Sequence, residues 1–203
     1  TRCNTIEGAD LIGSDQAQGV NLLMEHLRSL GHERIGHVTG AGGSADIRRR
    51  AYSDFMESAG LEPLVNGSTN PTNEEGGYLG TAELLRTHPG LTAVFTANDT
   101  MALGARAALR ETGYEVPGDV SLIGFDNSQL ARSRFLDLTT VDNHAFDVGV
   151  ACAEALLRRI ADPGASPGHV TIPTSLVIRT SSATPRPRRA GGAEPRAHGP
   201  VEQ

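Results

Sequence analysis

The sequence predicts an α/β fold with a doubly wound, mostly parallel sheet of the Rossmann-like kind. Short apolar runs alternate with amphipathic stretches, and a glycine closes several of those stretches. This alternation is typical of parallel strands, because a parallel neighbour can be reached only through a crossover connection, usually a helix. The chain has 203 residues, of which 38% are hydrophobic, so it is long enough for one or two domains with a buried core.

The first half of the chain predicts three helices and three strands. Apolar residues recur at helical spacing within each helical stretch, and Gly31 and Gly60 provide left-handed C-terminal stops. In chain order the predicted elements are a strand at Asp10 to Gly13, a helix at Gln16 to Leu30, a strand at Arg34 to Thr39, a helix at Ala45 to Ala59, a strand at Leu61 to Val65 and a helix at Asn73 to Thr87.

The second half continues the alternation. A strand from Thr92 to Thr96 precedes a helix that begins near Asp99 and stops at Gly113, and a strand from Val120 to Phe125 follows. The remaining predicted elements are a strand at Leu136 to Val141, a helix at Asp147 to Ile160 and a strand at His169 to Ile178, which Pro173 bends or confines to an edge. For the last helix, the pattern predicts a buried face made of Val148, Cys152, Ala155, Leu156 and Ile160.

Two polar residues lie just past the carboxyl ends of predicted strands. Asn98 follows the strand at 92–96 and Asp126 follows the strand at 120–125. In an open parallel sheet the carboxyl ends of the strands form the ligand crevice. We therefore expect Asn98 and Asp126 to face the same pocket.

Charge argues against direct nucleic-acid or membrane binding by this stretch. Residues 1–183 carry 14 basic and 22 acidic side chains, a net charge of −8 that repels phosphate. No apolar run approaches the roughly 20 residues of a membrane-spanning helix. Residues 184–203 are rich in Pro, Gly and Arg without periodicity, and we interpret them as a disordered tail.

Cysteine and histidine placement predicts neither a disulfide framework nor a metal site. Cys3 and Cys152 lie far apart, and we expect two free thiols in a reducing, cytoplasmic compartment. His26, His32 and His37 have neither metal-ligand nor triad spacing, and surface or capping roles are expected for them. Because no nucleophile, base or metal cluster emerges, the sequence predicts a binding protein without a cofactor, and not an enzyme.

From Asp15 onward the sequence resembles the effector-binding core of the LacI/GalR family of bacterial transcriptional repressors. The similarity is carried by LGHERI (30–35), ANDTMALG (97–104) and VPGDVSLIGFDN (116–127), together with GSDQAQG (13–19), RRRAYSDFMESAGL (48–61) and LTTVDN (138–143). Members of the family combine a DNA-binding headpiece with a core similar to type I periplasmic binding proteins. That core has two Rossmann-like subdomains joined by three crossovers, with a small ligand between them.

The resemblance implies how the chain is divided. It assigns residues 15–142 and 171–181 to a nearly complete C-terminal effector-binding subdomain, and 1–14 and 145–162 to remnants of an N-terminal subdomain. It also implies a homodimer, with helix 73–87 and the loop after Asn127 as its surfaces. Operator DNA would then be bound only through a headpiece that this stretch does not contain.

The resemblance also selects candidate ligand-binding residues: Arg48, Asn98 and Asp126, with Asp15 at a crossover as a secondary candidate. Carboxylate acceptors and a guanidinium fork suit the hydroxyl groups of a sugar or polyol. Each residue has an alternative role. Asn98 is also a favoured helix N-cap, Asp126 can start a turn with Asn127, and a run of arginines such as 48–50 usually forms a solvated helix face.

The implied function is therefore the ligand-sensing domain of a LacI-type regulator. Two alternatives stay open at this point: a periplasmic solute-binding protein of a sugar transporter, and an NAD-dependent enzyme that uses the loop Gly40-x-Gly42-x-x-Ala45. Thr72 stands where many relatives place an aromatic residue that stacks on the ligand, and the chain has no Trp. This departure makes a purine ligand less expected than a small polar one.

Overall fold

The structure is a computed structural model that describes residues 8–186 as five helices and eight strands in two sheets. In chain order the elements are β1 (Leu11–Ser14), α1 (Gln16–Ser29), β2 (Ile35–Val38), α2 (Gly43–Ser58), β3 (Leu64–Asn66), α3 (Glu74–Thr87), β4 (Ala93–Thr96), α4 (Asp99–Glu111), β5 (Ser121–Phe125), β6 (Thr139–Asp142), α5 (Ala145–Ala161), β7 (His169–Ile172) and β8 (Ser175–Val177).

The larger sheet has six strands in the order β3-β2-β4-β5-β6-β8, all parallel except β8, which runs antiparallel to β6. The chain leaves β2 towards β3 on one side and later adds β4 on the other side of β2. This reversal confirms the doubly wound, mostly parallel sheet that the sequence predicts. It also creates a crevice between the carboxyl ends of β2 and β4, where open α/β sheets bind ligands.

Each face of the six-stranded sheet is covered by a separate hydrophobic core. One core joins α1 and α2 to the sheet through residues such as Leu23, Tyr52 and Phe125. The other joins α3 and α4 to the opposite face through residues such as Leu84 and Met101. The sheet is therefore fixed from both sides, which holds the loops at its carboxyl edge on a rigid support.

The second sheet is small, and it leaves α5 largely uncovered. It consists of β1 and β7 in parallel register, and α5 packs against these two strands. The predicted buried face of this helix is therefore wrong except at Ala155: Cys152 is exposed, and Leu156 and Ile160 are more than half exposed. The periodicity correctly showed an amphipathic helix, but two short strands cover only a narrow line along it.

The histidine prediction is also wrong at two positions. His32 and His37 are fully buried rather than at the surface. His32 contacts the Thr92 hydroxyl at 2.9 Å and the carbonyl oxygen of Ala183 at 2.9 Å, at the amino-terminal edge of the six-stranded sheet. A buried imidazole is satisfied by such partners, which sequence spacing does not reveal.

The last predicted strand divides at Pro173 into β7 and β8, which lie in different sheets. Pro cannot donate a ladder hydrogen bond, and both strands are edge strands, as the sequence indicates. Cys152 is a free thiol, whereas Cys3 lies outside the described residues. Of the predicted disordered tail, 187–203 lie outside the described residues and 184–186 are described.

Candidate functional site

The candidate site lies at the carboxyl edge of the six-stranded sheet, beside the crevice between β2 and β4. Arg48 reaches this edge from α2, Asp126 directly follows β5, and Asn98 lies two residues after the end of β4. The structure brings them together: Arg48 forms an ion pair with Asp126, and it donates to the carbonyl oxygen of Ala97, which precedes Asn98. Arg48 and Asp126 therefore lie together, and Asn98 is adjacent to them through the backbone of Ala97.

The guanidinium of Arg48 is held from several directions. Its Cζ lies over the ring of Phe125, 3.7 Å from the ring centroid. Nε donates to Oε1 of Gln16 at 2.7 Å, and Nη2 lies 3.3 Å from Oδ1 of Asp126. Burial lowers the pKa of this guanidinium, and Asp126 offsets part of that shift. The side chain is only 9% exposed, so the alternative of a solvated arginine face does not apply to Arg48.

Asp126 combines an engaged oxygen with an accessible one. Oδ1 accepts from Arg48 and, at 2.8 Å, from Nδ2 of Asn143. No hydrogen bond from another described residue reaches Oδ2, and the side chain is 36% exposed. Burial raises the pKa of the carboxyl, and the neighbouring Arg48 partly opposes that rise. The backbone φ of 109° is unusual for a residue other than Gly, and strained backbone of this kind concentrates at functional sites.

Asn98 is the N-cap of α4. Its Oδ1 accepts from the backbone N–H of Met101 at 2.8 Å, and its Nδ2 donates to the carbonyl oxygen of Thr72 at 3.1 Å. The capping role that the sequence left open is therefore real. One hydrogen of the Asn98 amide group remains for another acceptor, because a carboxamide carries two N–H donors.

Asp15 lies where β1 passes into α1, and it also serves as an N-cap. Its Oδ1 accepts from the backbone N–H of Gln18 at 2.9 Å. The structure connects it to the cluster through its neighbour Gln16, which binds Arg48. Asp15 itself makes no described contact with Arg48 or Asp126, so it lies at the margin of the site.

Three residues of this cluster were missed by the sequence reasoning. Gln16 and Asn143 hold Arg48 and Asp126. The carboxylate of Asp99 is buried beneath the loop that follows Asp126, where it accepts from Oγ1 of Thr140 at 2.6 Å and from the backbone N–H of Ser128 at 2.7 Å. These contacts join segments that are distant in sequence, so no local sequence pattern predicts them.

Other candidate chemistries gain little from the structure. The glycine pattern at 40–45 does lead into a helix, α2, which begins at Gly43. The next strand, however, ends at Asn66, where a dinucleotide site would use a carboxylate. Among residues 8–186 no group of three His, Cys, Asp or Glu side chains is placed to hold a metal ion. None of the described helices has the length and apolar character needed to cross a bilayer.

Comparison with known proteins agrees with this fold. Residues 24–182 match the family described as "Periplasmic binding protein-like domain". The chain is 29% identical over 178 residues to the ribose operon repressor of Halalkalibacterium halodurans, with 87% of this chain and 53% of that protein covered. The chain spans about half the length of the curated relatives it matches.

Two solved structures extend the comparison. A LacI-family transcriptional regulatory protein from Corynebacterium glutamicum is 38% identical and superimposes with a TM-score of 0.80, covering 90% of this chain and 73% of that one. A LacI family regulator from Enterococcus faecium, solved with bound ribose, is 27% identical with a TM-score of 0.79, covering 90% and 69%. The fold, the family match and these similarities show that the chain belongs to the LacI/GalR family of transcriptional regulators, as part of its periplasmic-binding-protein-like effector core.

Proposed function

We propose that this chain is the ligand-sensing part of a DNA-binding transcriptional regulator, and that it binds a sugar or polyol at Arg48 and Asp126. The observation that supports the proposal most directly is the accessible Oδ2 of Asp126 beside a buried, fixed guanidinium. A carboxylate oxygen accepts from a ligand hydroxyl, while Arg48 supplies donors in a fixed plane. The related regulator with bound ribose supports a sugar as the class of ligand.

The proposed mechanism uses the two sheets as parts of two subdomains. The subdomain that carries Arg48 and Asp126 comprises residues 15–142 and 173–181. The other contains β1, α5 and β7, because β7 places residues 171 and 172 in the small sheet and so moves the expected boundary from 171 to Pro173. A ligand between the subdomains favours the arrangement in which it contacts both. The change in their relative angle then alters operator binding by a headpiece elsewhere in the protein, within the cytoplasm.

The proposal includes a homodimer. The predicted surface at α3 and the loop after Asn127 exposes apolar side chains, namely Leu79, Leu130 and Phe135. Exposed apolar residues of this size are typical of interfaces between subunits. A strict monomer at high concentration, measured by size-exclusion chromatography with light scattering, would contradict this part of the proposal.

A thermal-shift screen against pentoses, hexoses, polyols, nucleosides and NAD tests the ligand class. We expect at least one sugar or polyol to raise the melting temperature, because a ligand that binds only the folded state stabilises it. Stabilisation by nucleosides alone would contradict a sugar or polyol as the class of ligand. Stabilisation by NAD would instead support the alternative of an NAD-dependent enzyme.

The variant Asp126→Ala then locates the site. It should abolish the ligand-induced shift while the ligand-free protein stays folded, since Asp126 lies at the margin of the core. Asp54→Ala, at an exposed position of α2, is the matched control and should keep the shift. If Asp126→Ala retains the full shift, Asp126 does not contact the ligand and acts only in its turn.

A further inference from the structure

Two side-chain amides join the Arg48–Asp126 pair to the places where the chain passes between the sheets. Gln16 accepts from Nε of Arg48 through Oε1 at 2.7 Å, and Asn143 donates to Oδ1 of Asp126 through Nδ2 at 2.8 Å. Gln16 opens α1, immediately after β1 has left the small sheet. Asn143 lies between β6 of the large sheet and α5, which packs on the small one. We call these two passages the first crossing (residues 15–16) and the second crossing (residues 143–144). Each partner of the ion pair is therefore hydrogen-bonded to a side chain on a different crossing.

The contact at Gln16 continues into the first crossing. Its Nε2 donates to Oγ of Ser14 at 2.6 Å, and Ser14 is the last residue of β1. The next residue, Asp15, donates its backbone N–H to the carbonyl oxygen of Ile172, the last residue of β7, at 2.8 Å. A single carboxamide thus connects the guanidinium of Arg48 to the edge of the small sheet.

The second crossing contains an unsatisfied polar group. Oδ1 of Asn143 is buried and has no hydrogen-bond partner among the described residues. Leaving a buried acceptor unpaired is unfavourable, so packing or another hydrogen bond must hold the side chain there. The bond from Nδ2 to Asp126 is the described contact that does so. The adjacent His144 has a left-handed φ of 50°, so the backbone at this crossing is also specifically bent.

We infer that Gln16 and Asn143 are positioning residues, which orient Arg48 and Asp126. When a ligand binds to this pair, the same two residues transmit the change to the two crossings. The ligand-dependent half of this inference rests on the proposed function, whereas the orienting half concerns the ligand-free protein. A ligand that takes a bond from Arg48 or Asp126 changes the geometry of the amide bonded to it. Because the two side-chain amides lie on the crossings, the affinity for the ligand depends on the conformation of the crossings. Such a difference in affinity between conformations is what a conformational response to a ligand requires.

The orienting role of Gln16 is tested through the Arg48 side chain itself. The Nε–H signal of Arg48 can be assigned in nitrogen-15 NMR spectra as the arginine signal that disappears in the variant Arg48→Lys. We expect Gln16→Met, which keeps the length of the side chain and removes the acceptor, to speed solvent exchange of this N–H by about tenfold, since a hydrogen bond to a charged group contributes roughly 1.5–3 kcal/mol.

Two further variants separate orientation from general loosening. Gln16→Glu keeps an oxygen acceptor and should preserve slow exchange at Nε of Arg48. Asn21→Met makes the same change of amide to thioether at an exposed position of α1 and should leave the exchange unchanged. If Gln16→Met is too unstable to study, faster exchange in Gln16→Glu than in the parent would overturn the role of Gln16, and slow exchange would support it.

The role of Asn143 has its own measurement. The hydrogen bond donated by the side-chain amide of Asn143 stabilises the ionised form of Asp126 and so lowers the pKa of its carboxyl. Carbon-13 NMR titration of Asp126 should therefore show a higher pKa in Asn143→Ala than in the parent. An unchanged pKa would overturn the orienting role of Asn143.

Transmission to the crossings is tested with ribose as the probe. In the parent, saturating ribose should change hydrogen exchange at the backbone amides of Asp15 and His144, and in Gln16→Met the change at Asp15 should be lost. Ribose binding without any change at these amides overturns the transmission. If the parent binds neither ribose nor another sugar, the proposed function and with it the transmission fail, while the Nε–H exchange and the Asp126 titration still decide the orienting roles.

Discussion

At the scale of single residues, His37 shows how burial determines protonation. Its Nδ1 donates to the carbonyl oxygen of Phe95 at 3.1 Å, and its ring stacks on that of Phe95 with centroids 4.3 Å apart. Nε2 therefore carries the lone pair, and it is buried without a partner in the described part of the chain. Burial lowers the pKa of His37 from 6.5 to about 3, so the imidazole is neutral in the folded protein at neutral pH.

This gives a prediction for the pH dependence of stability. Above pH 6.5 the imidazole is neutral in both states, and its contribution is fully present. Between pH 6.5 and about 3 the unfolded chain binds a proton that folded His37 does not, so stability falls by about 1.4 kcal/mol per pH unit as the pH decreases. In urea unfolding, the parent should lose about 2 kcal/mol more than His37→Phe between roughly pH 7 and pH 5. Equal losses would show that His37 titrates normally.

Asn98 allows its two possible roles to be separated. Asn98→Ala removes the cap of α4 and should lower the free energy of unfolding by about 1 kcal/mol. Asn98→Asp keeps the capping oxygen but loses the hydrogen bond to the carbonyl oxygen of Thr72, so its stability should lie between those of Asn98→Ala and the parent. If Asn98 also donates to the ligand, Asn98→Asp should weaken sugar binding about tenfold, because a donor is lost from the site.

The N-cap of α3 provides the control for this experiment. Asn73 accepts from the backbone N–H of Gly76 at 3.0 Å, so Asn73→Ala removes an equivalent cap. It should cost similar stability without changing sugar affinity, as measured by isothermal titration calorimetry. If Asn98→Asp also binds the sugar with unaltered affinity, Asn98 does not contact the ligand and serves only as the N-cap of α4.

At the scale of elements, the packing of α3 against α4 depends on glycine. A Cβ on Gly104 would overlap the carbonyl oxygen of Glu74, and a Cβ on Gly77 would overlap that of Met101. The two helix backbones therefore lie in direct contact, which brings the N-cap Asn98 close to the loop at Thr72. No residue larger than glycine fits either position without separating the helices.

Gly104→Ala should accordingly destabilise the protein by about 2 kcal/mol or more, because overpacking costs roughly 1–3 kcal/mol. Gly149→Ala is the matched control: it lies inside α5, and a Cβ there meets no atom within 4 Å. That change should stabilise the protein by up to about 1 kcal/mol through helix propensity alone. Urea unfolding of both variants measures the difference, and a neutral Gly104→Ala would contradict the close packing.

Elements were predictable from sequence wherever a local pattern determined them. The helix predicted at Gln16 to Leu30 ends one residue earlier in the structure, and the strand ends that place Asn98 and Asp126 are correct. Arg48, in contrast, was selected only by resemblance, because its partners come from distant segments. Gln16 and Asn143 were missed for the same reason, since a hydrogen bond between residues far apart in sequence leaves no periodic trace.

At the scale of the whole molecule, the two sheets differ in how well they are covered. The six-stranded sheet has a core on each face, whereas α5 packs mainly against β1 and β7 and exposes Phe146, Leu157 and Ile160 at 80%, 65% and 67%. Periodicity identifies which face of a helix is apolar, but it does not say whether another element covers that face. This is why the prediction for α5 was correct as a helix and wrong for most of its buried residues.

The exposed face gives a final prediction about association. Leu157→Gln combined with Ile160→Gln should leave the free energy of unfolding within about 0.5 kcal/mol of the parent, because both side chains are already in water in the folded chain. The double variant should bind less of the dye ANS and self-associate less in light scattering, since a contiguous apolar patch is reduced. Leu23 lies on α1 and is part of the core between this helix and the six-stranded sheet. Leu23→Gln should instead lower the free energy of unfolding by several kcal/mol, because it buries an unpaired amide. A loss of more than about 2 kcal/mol in the α5 double variant would show that this face is covered in solution.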